Sequence, residues 1–282
     1  MPRPLPLFLL LLSASISVSG HAGQVERSAL DDKTWSGMVR CMECDVQDAI
    51  DLGMRITGSE PAFPADFDCR TIDEGWAIDY STKRARVALH GGIDIPAPHG
   101  TPILAIADGK VVAMFDNHET AVGVKIFLQH SPEQTGRPFW VYSEYAHLKE
   151  LPPLQIGSQV KRGDVVGLTG NTGISGQEAR AKAGSPSSGR SKTRRDAIHF
   201  SIMYSDSSDY VVLQKLGGHL VPIRGRWMDP VAFYRNTPPY DSDTVAGLTE
   251  GEKRVRIPIQ APNGVTIPSG SKLIWPYSCE SR

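Results

Sequence analysis

The 282-residue chain has almost no net charge, since 30 Lys and Arg stand against 31 Asp and Glu and leave −1 at neutral pH. A balance this even argues against nucleic acid as the main partner, because gripping phosphates calls for a basic surface. Long apolar runs are equally scarce. The one at residues 7–18 is too short for a bilayer core of about 30 Å, which takes about 20 apolar residues, and nothing comparable follows it. It comes after Met1-Pro2-Arg3 and before Ser19-Gly20-His21-Ala22, with small residues at 20 and 22. Residues 1–22 therefore read as a secretory signal peptide, with an uncleaved anchor as the alternative. No cysteine follows the cleavage-like site, which disfavours a lipoprotein anchor. The expectation is an exported protein, periplasmic or extracellular, with no integral membrane segment once the leader is removed.

Cysteine is also sparse. Cys41, Cys44, Cys69 and Cys279 are all there is, and in an exported chain an even count points to disulfides. Cys41-Met42-Glu43-Cys44 has the spacing of a redox pair or half a zinc knuckle, but no second Cys-x-x-Cys exists and no thioredoxin-like frame surrounds it. Three pairings are open. In any of them Cys279 is expected to tie the C-terminal tail to the N-terminal region.

What is plentiful is Gly and Pro, 27 and 21 residues, which predicts many turns and hence β structure with loops. Hydrophobic residues at 40% and charged residues at 22% suit a globular core. Trp35, Met38, Val39, Met42, Val46 and Ile50 fall mostly at helical spacing and Gly53 is a natural stop, so one or two short helices are expected at 31–53. Residues 57–80 read as a connecting stretch lying against the main domain. Beyond 87, strand signals are dense. Segments 102–107 and 110–115 flank Asp108-Gly109 as a two-residue hairpin, 124–129 alternates as a half-buried strand, and 140–146 is a strand that delivers His147 at its end. Segments 155–164 and 165–168 read as another tight hairpin, and 253–260 with 272–277 as a C-terminal one. No long helix separates these strands, so the sheet is expected to be antiparallel.

His90-Gly91-Gly92-Ile93-Asp94 carries the chemistry, together with Ala197-Ile198-His199-Phe200. Along an extended strand His90 and Asp94 would stand about 13 Å apart, too far to share one zinc with bonds of about 2 Å. Gly91-Gly92 and the following Pro96 and Pro98 argue against a helix. The glycines are expected to bend the chain, using positive φ, and bring the two side chains onto one ion. His147 ends a strand and on its own would be read as an ordinary satisfied polar residue.

The order of motifs resembles the lysostaphin-type, or LytM, family of zinc endopeptidases. The resemblance rests on His90 to Asp94, Gly100-Thr101-Pro102, Asp108-Gly109-Lys110-Val111, Tyr145-Ala146-His147-Leu148, Gly163-Asp164-Val165-Val166-Gly167, His199-Phe200 and Asp229-Pro230. It covers 87–235, flanked by extensions at 23–86 and 236–282. It implies a mainly β, antiparallel metallopeptidase domain with a zinc-bearing groove, one Zn2+ held by His90, Asp94 and His199, a catalytic His147, and hydrolysis of peptide bonds in bacterial cell-wall peptidoglycan. Three protein ligands leave a fourth position for water, the pattern of a catalytic zinc.

Two features depart from the family. Where it has His-x-His, this chain has Ala197-Ile198-His199, so one of two expected imidazoles is missing from the cleft. His99 and His130 are the candidates to replace it if the fold brings either near. The second departure is the polar insertion at 177–196, rich in Arg and Lys, which reads as a solvated loop or as a mobile lid attracting acidic peptide stems or another anionic polymer. Two functions stay open: a zinc endopeptidase acting on peptidoglycan, favoured by the intact ligand set, and a catalytically silent domain that binds peptidoglycan or regulates a partner cell-wall hydrolase, favoured by Ala197.

Overall fold

A computed structural model of the protein describes residues 23–39, 44–75, 90–174, 194–214 and 217–282. The signal-peptide reading at 1–22, Cys41 and most of the basic insertion lie outside the described residues. The chain opens with α1 (Asp32–Val39) and α2 (Val46–Asp51). Asp45 caps α2 by accepting from the Gln47 amide at 2.8 Å, and Gly53 follows it at φ 97°.

The strands in chain order are β1 (Glu60–Ala62), β2 (Phe67–Asp68), β3 (Ile93–Pro96), β4 (Pro102–Leu104), β5 (Gly109–Phe115), β6 (Lys125–His130), β7 (Trp140–Ala146), β8 (Gln159–Val160) and β9 (Val165–Leu168). They continue with β10 (Ala197–Ser205), β11 (Tyr210–Leu213), β12 (His219–Pro222), β13 (Arg226–Met228), β14 (Arg254–Arg256), β15 (Ile259–Gln260), β16 (Thr266–Ile267) and β17 (Glu280–Ser281). Among the described residues the central sheet runs β13-β10-β7-β6-β5-β8, with β3 also paired to β10. Every pairing in it is antiparallel, as the short connections predict.

Alternation sorts the residues of this sheet onto two faces. Ile95, Ile126, Leu128, Tyr145, Ile198 and Phe200 share one face, all buried. Asp94, Lys125, Glu144, Ala197, His199 and Ser201 share the other. This polar face is buried as well, so β6 is enclosed on both sides and not half-exposed as its alternation suggests. Lys125 is tolerated there because its ammonium meets Glu144 at 3.1 Å and lies over the rings of Phe127 and Phe115, 5.3 and 5.6 Å from their centroids.

Three expected hairpins are corrected. The strands on either side of Asp108-Gly109 belong to different sheets, β4 pairing with β9 and β5 with β6 and β8. The segment between them crosses over, with the Ala105 amide bonded to the Asp164 carbonyl and the Ile106 amide to the Tyr145 hydroxyl. For the same reason β8 and β9 diverge to separate partners instead of pairing with each other. At the C-terminus the hairpin is β15 with β16, and 272–277 is not a strand. Trp275 and Tyr277 instead enter the core, and the Trp275 indole donates to the Arg70 carbonyl at 2.9 Å.

The two extensions hold each other: β1 pairs in parallel with β14, β2 pairs with β17, and Cys69 is bonded to Cys279. The tail is therefore tied to the N-terminal region as expected. Cys44 is disulfide-bonded too. No helix among the described residues is long and apolar enough to cross a membrane.

His130 points to the apolar face, with Nδ1 2.7 Å from the Asp108 carbonyl and Nε2 2.8 Å from Ser143 Oγ. Burial pushes its pKa down to about 4, against the pull of the Asp108 carbonyl. The unfolded chain takes up this proton near pH 6.5 and the folded chain only near 4. The neutral ring's contribution to stability is thus full above 6.5 and lost as pH falls to about 4. His130→Gln should flatten the fall in unfolding free energy across that window by up to about 1.4 kcal/mol per pH unit, as read by urea denaturation. Identical slopes for both proteins would assign the acid response to other groups.

Candidate metal centre

Asp94 on β3 stands directly opposite His199 on β10, so the sheet register itself sets two candidate ligands side by side. His90 reaches them because the chain bends at Gly91-Gly92 before β3 begins. The expected reason for glycine is corrected here: Gly92 does not use positive φ. A Cβ at Gly92 would lie 2.5 Å from the Phe200 carbonyl oxygen and 2.7 Å from both His199 Nε2 and Ser201 Oγ. Only a residue without a side chain lets β3 lie this close to β10 without displacing His199.

His90 Nε2, Asp94 Oδ1 and His199 Nδ1 form a triangle with edges of 3.2, 3.1 and 3.0 Å. All three residues are buried. His90 Nδ1 lies 2.7 Å from the Gly75 carbonyl oxygen, which only accepts, so Nδ1 carries the proton and Nε2 presents a lone pair. With neutral imidazoles that lone pair faces the Asp94 carboxylate in either tautomer of His199. The arrangement is repulsive unless a cation sits against it. Zinc bonds of about 2.0–2.1 Å in a tetrahedron give ligand separations of about 3.3 Å, close to the edges seen, so the residues fit a zinc ion.

Further contacts hold this set. Ser201 Oγ is 3.0 Å from His199 Nε2, and the Asp94 amide donates to the Glu74 carbonyl at 2.8 Å. Burial opposes the Asp94 charge, but the imidazoles of His199 and His90 against it, when protonated, outweigh burial and hold the carboxyl well below its usual range. Burial lowers the His199 pKa more than Asp94 raises it. The other Asp94 oxygen, Oδ2, faces two guanidiniums, Arg195 Nη2 at 3.5 Å and Arg194 Nη2 at 3.7 Å.

His147 follows β7 with φ 63°, left-handed backbone that a side chain rarely adopts. Its ring is buried, 6.1 Å from the His199 ring centre to centre. Nδ1 lies 3.0 Å from the Thr172 carbonyl and so donates, which leaves the Nε2 lone pair as the working atom. Burial first, then the charges of Arg194 and His199, push the pKa well below its ordinary value. Thr172 is fixed in turn, donating to the Leu148 carbonyl at 2.6 Å and accepting from the Val124 amide at 3.0 Å.

Ala197 shares the His199 face and is buried opposite Pro96. Neither proposed substitute takes its place. His130 lies on the opposite face of the sheet, and His99 is exposed and bonded to Asp196 at 3.0 Å. Sequence reasoning missed Gly75, Thr172 and Ser201 as parts of the site, whereas Arg194 and Arg195 belong to the basic insertion at 177–196 that it read as a loop or a lid. Ser201 was open to detection, being two residues beyond His199 on the same face. Gly75 and Thr172 act through backbone carbonyls and leave no mark in side-chain type.

Residues 88–209 match peptidase family M23. The chain is 36% identical over 109 residues to the peptidoglycan DD-endopeptidase ShyA of Vibrio cholerae, a match spanning 36% of this chain and 23% of that protein. It is 37% identical over 87 residues to the DD-carboxypeptidase/endopeptidase Mpg of Neisseria meningitidis serogroup B, spanning 31% of this chain and 18% of the relative. The matched stretch thus covers less than a quarter of either relative. Among solved structures, the catalytic domain of the antimicrobial peptidase lysostaphin from Staphylococcus simulans is 22% identical, with 49% of this chain and 84% of that one covered and a TM-score of 0.35.

Proposed function

Residues 88–209 are a peptidase family M23 domain of the lysostaphin/LytM type, and from that premise we propose that the protein is an exported zinc metallo-endopeptidase that cleaves peptide bonds in cell-wall peptidoglycan. In this reading 87–235 is the catalytic domain and 23–86 and 236–282 are extensions. The observation that carries it is the His90, Asp94 and His199 triangle, three donor atoms turned on one point with His147 beside them. A zinc ion held there would supply Lewis acidity and acidify water. His147 Nε2, unprotonated and fixed by the Thr172 carbonyl, accepts the proton of the attacking water and returns it to the leaving amine nitrogen. The buried polar face holds the ligands rigid while the substrate peptide lies across them.

The runner-up, a silent domain that binds peptidoglycan or serves a partner hydrolase, is supported by Ala197. Full-length protein incubated with purified peptidoglycan separates the two. The peptidase reading expects slow release of soluble peptide fragments, lost with a chelator and restored by zinc. Ala197→His should then raise the rate about tenfold or more, given what a positioned acid-base group contributes. Zinc-loaded wild type that binds peptidoglycan but releases nothing, with nothing gained by Ala197→His, would favour the silent domain.

A further inference from the structure

We propose that Asp73, in the N-terminal extension, keeps the metal centre open to its ion by holding Arg195 back from the carboxylate of Asp94; this rests on the zinc reading of the triangle above. The extension runs along the edge of β3 that β10 leaves unpaired, at the ligand itself. The Asp94 amide donates to the Glu74 carbonyl at 2.8 Å, and the Asp94 carbonyl accepts from the Asp73 amide at 3.2 Å. His90 Nδ1 bonds the next carbonyl, that of Gly75, at 2.7 Å. Residues 73–75 therefore touch two of the three candidate ligands, although they lie outside the 88–209 family match.

Asp94 Oδ1 meets the two imidazoles, at 3.2 and 3.0 Å, while Oδ2 has Arg195 Nη2 at 3.5 Å and Arg194 Nη2 at 3.7 Å. A guanidinium bonded fully to this carboxylate would take up the negative charge that a zinc ion needs. Arg195 is kept from doing so. Its fork closes on Asp73, with Nε 2.8 Å from Oδ2 and Nη2 bonded to Oδ1, and Glu74 Oε1 stands 3.7 Å from Nη1. The 3.5 Å left to Asp94 exceeds the roughly 2.7–3.2 Å of a settled N–H···O bond. Asp73 and Glu74 also offset the Arg195 charge, which alone would oppose a second cation so close.

The segment that carries Asp73 is anchored by contacts that do not involve its carboxylate. Cys69 is bonded to Cys279, the Trp275 indole donates to the Arg70 carbonyl at 2.9 Å, and the Glu74 carbonyl keeps the Asp94 amide. Removing the Asp73 charge thus leaves the backbone in place and releases Arg195. The freed fork turns to Asp94, and arginine and metal then compete for one carboxylate. Arginine stays charged at any working pH, so the competition does not fade in mild alkali. Asp73 is a positioning residue: it acts on the metal through Arg195 and Asp94.

Zinc affinity, measured by competition with a fluorescent chelator, tests this in full-length wild type, Asp73→Asn, Arg195→Gln and the double variant, with circular dichroism to check folding. Asp73→Asn should bind zinc about 10- to 100-fold more weakly, the range typical of outer partners of metal ligands, and Arg195→Gln should stay within about threefold of wild type. Adding Arg195→Gln to Asp73→Asn should restore the affinity of Arg195→Gln alone, a recovery that a mere strut at position 73 would not give. Asp73→Glu, which keeps the charge, should stay near wild type. Should Asp73→Asn fail to fold, Asp73→Ala with and without Arg195→Gln gives the same comparison. Equal affinity in wild type and Asp73→Asn would overturn the proposal. A double variant as weak as Asp73→Asn would overturn it in favour of a structural Asp73, and Arg195→Gln as weak as Asp73→Asn in favour of an arginine that supports Asp94 directly. Wild type that takes up no zinc would overturn both this and the reading beneath it. Wild type that holds zinc and cleaves no peptidoglycan would count against the peptidase reading alone, and the affinities would still decide the role of Asp73.

Discussion

His147→Ala should cut hydrolysis of cross-linked peptidoglycan peptides by about 10²- to 10⁴-fold, the contribution typical of a positioned acid-base group, with zinc still bound. Among the described residues, the imidazole is the one neutral base beside the donor triangle. Its Nδ1 is spent on Thr172 and its backbone sits at φ 63°, a conformation kept only where surrounding structure enforces it. It is not among the three convergent donors, so metal and chemistry should separate in this variant. The measurement is steady-state rate alongside metal content. A variant that keeps wild-type rates would remove His147 from the mechanism, and one that loses its zinc would make it a structural support.

Asp94→Ala should lose nearly all bound zinc, and activity with it, while the chain remains folded. Asp94 contributes the only negative charge of the triangle, and two imidazoles alone make a weak site. The backbone of β3 is held independently by its register with β10 and by the Asp94 amide bond to Glu74, which the substitution leaves in place. Two arginines lose their shared partner, but Arg195 keeps Asp73 and Glu74. Metal analysis and circular dichroism decide the matter. A variant that still holds one zinc would contradict the ligand assignment, and one that unfolds would make the metal structural.

Some of the strand pattern was legible locally, because polar and apolar residues alternate over 124–129 and 140–146 reads as a strand ending at His147, and the helices at 32–39 and 46–51 because their apolar residues recur at helical spacing. Partner choice was not. Asp108-Gly109 looks like a hairpin from local residues, yet Asp164, Tyr145 and Pro276 pull the preceding segment onto another sheet, and all three are distant in sequence. Burial of Lys125 and Glu144 was hidden for a similar reason: each reads as a surface residue until the strand register sets them together. The site divides the same way. His90, Asp94 and His199 are marked by residue type, whereas the carbonyls of Gly75 and Thr172 that orient the imidazoles are not. Gly92 was singled out correctly for the wrong physical reason, since the close approach of Phe200 and His199 demands it and φ does not.

Mass analysis of a defined cross-linked muropeptide dimer, after incubation with zinc-loaded wild type and with His147→Ala, decides whether the triangle and His147 form a working hydrolytic centre. Wild type should add one water across one peptide bond, yielding one new amine and one new carboxylate, while His147→Ala leaves the dimer largely intact over the same time. An intact dimer after incubation with wild type shown to hold its zinc would rule out a hydrolytic centre at these residues.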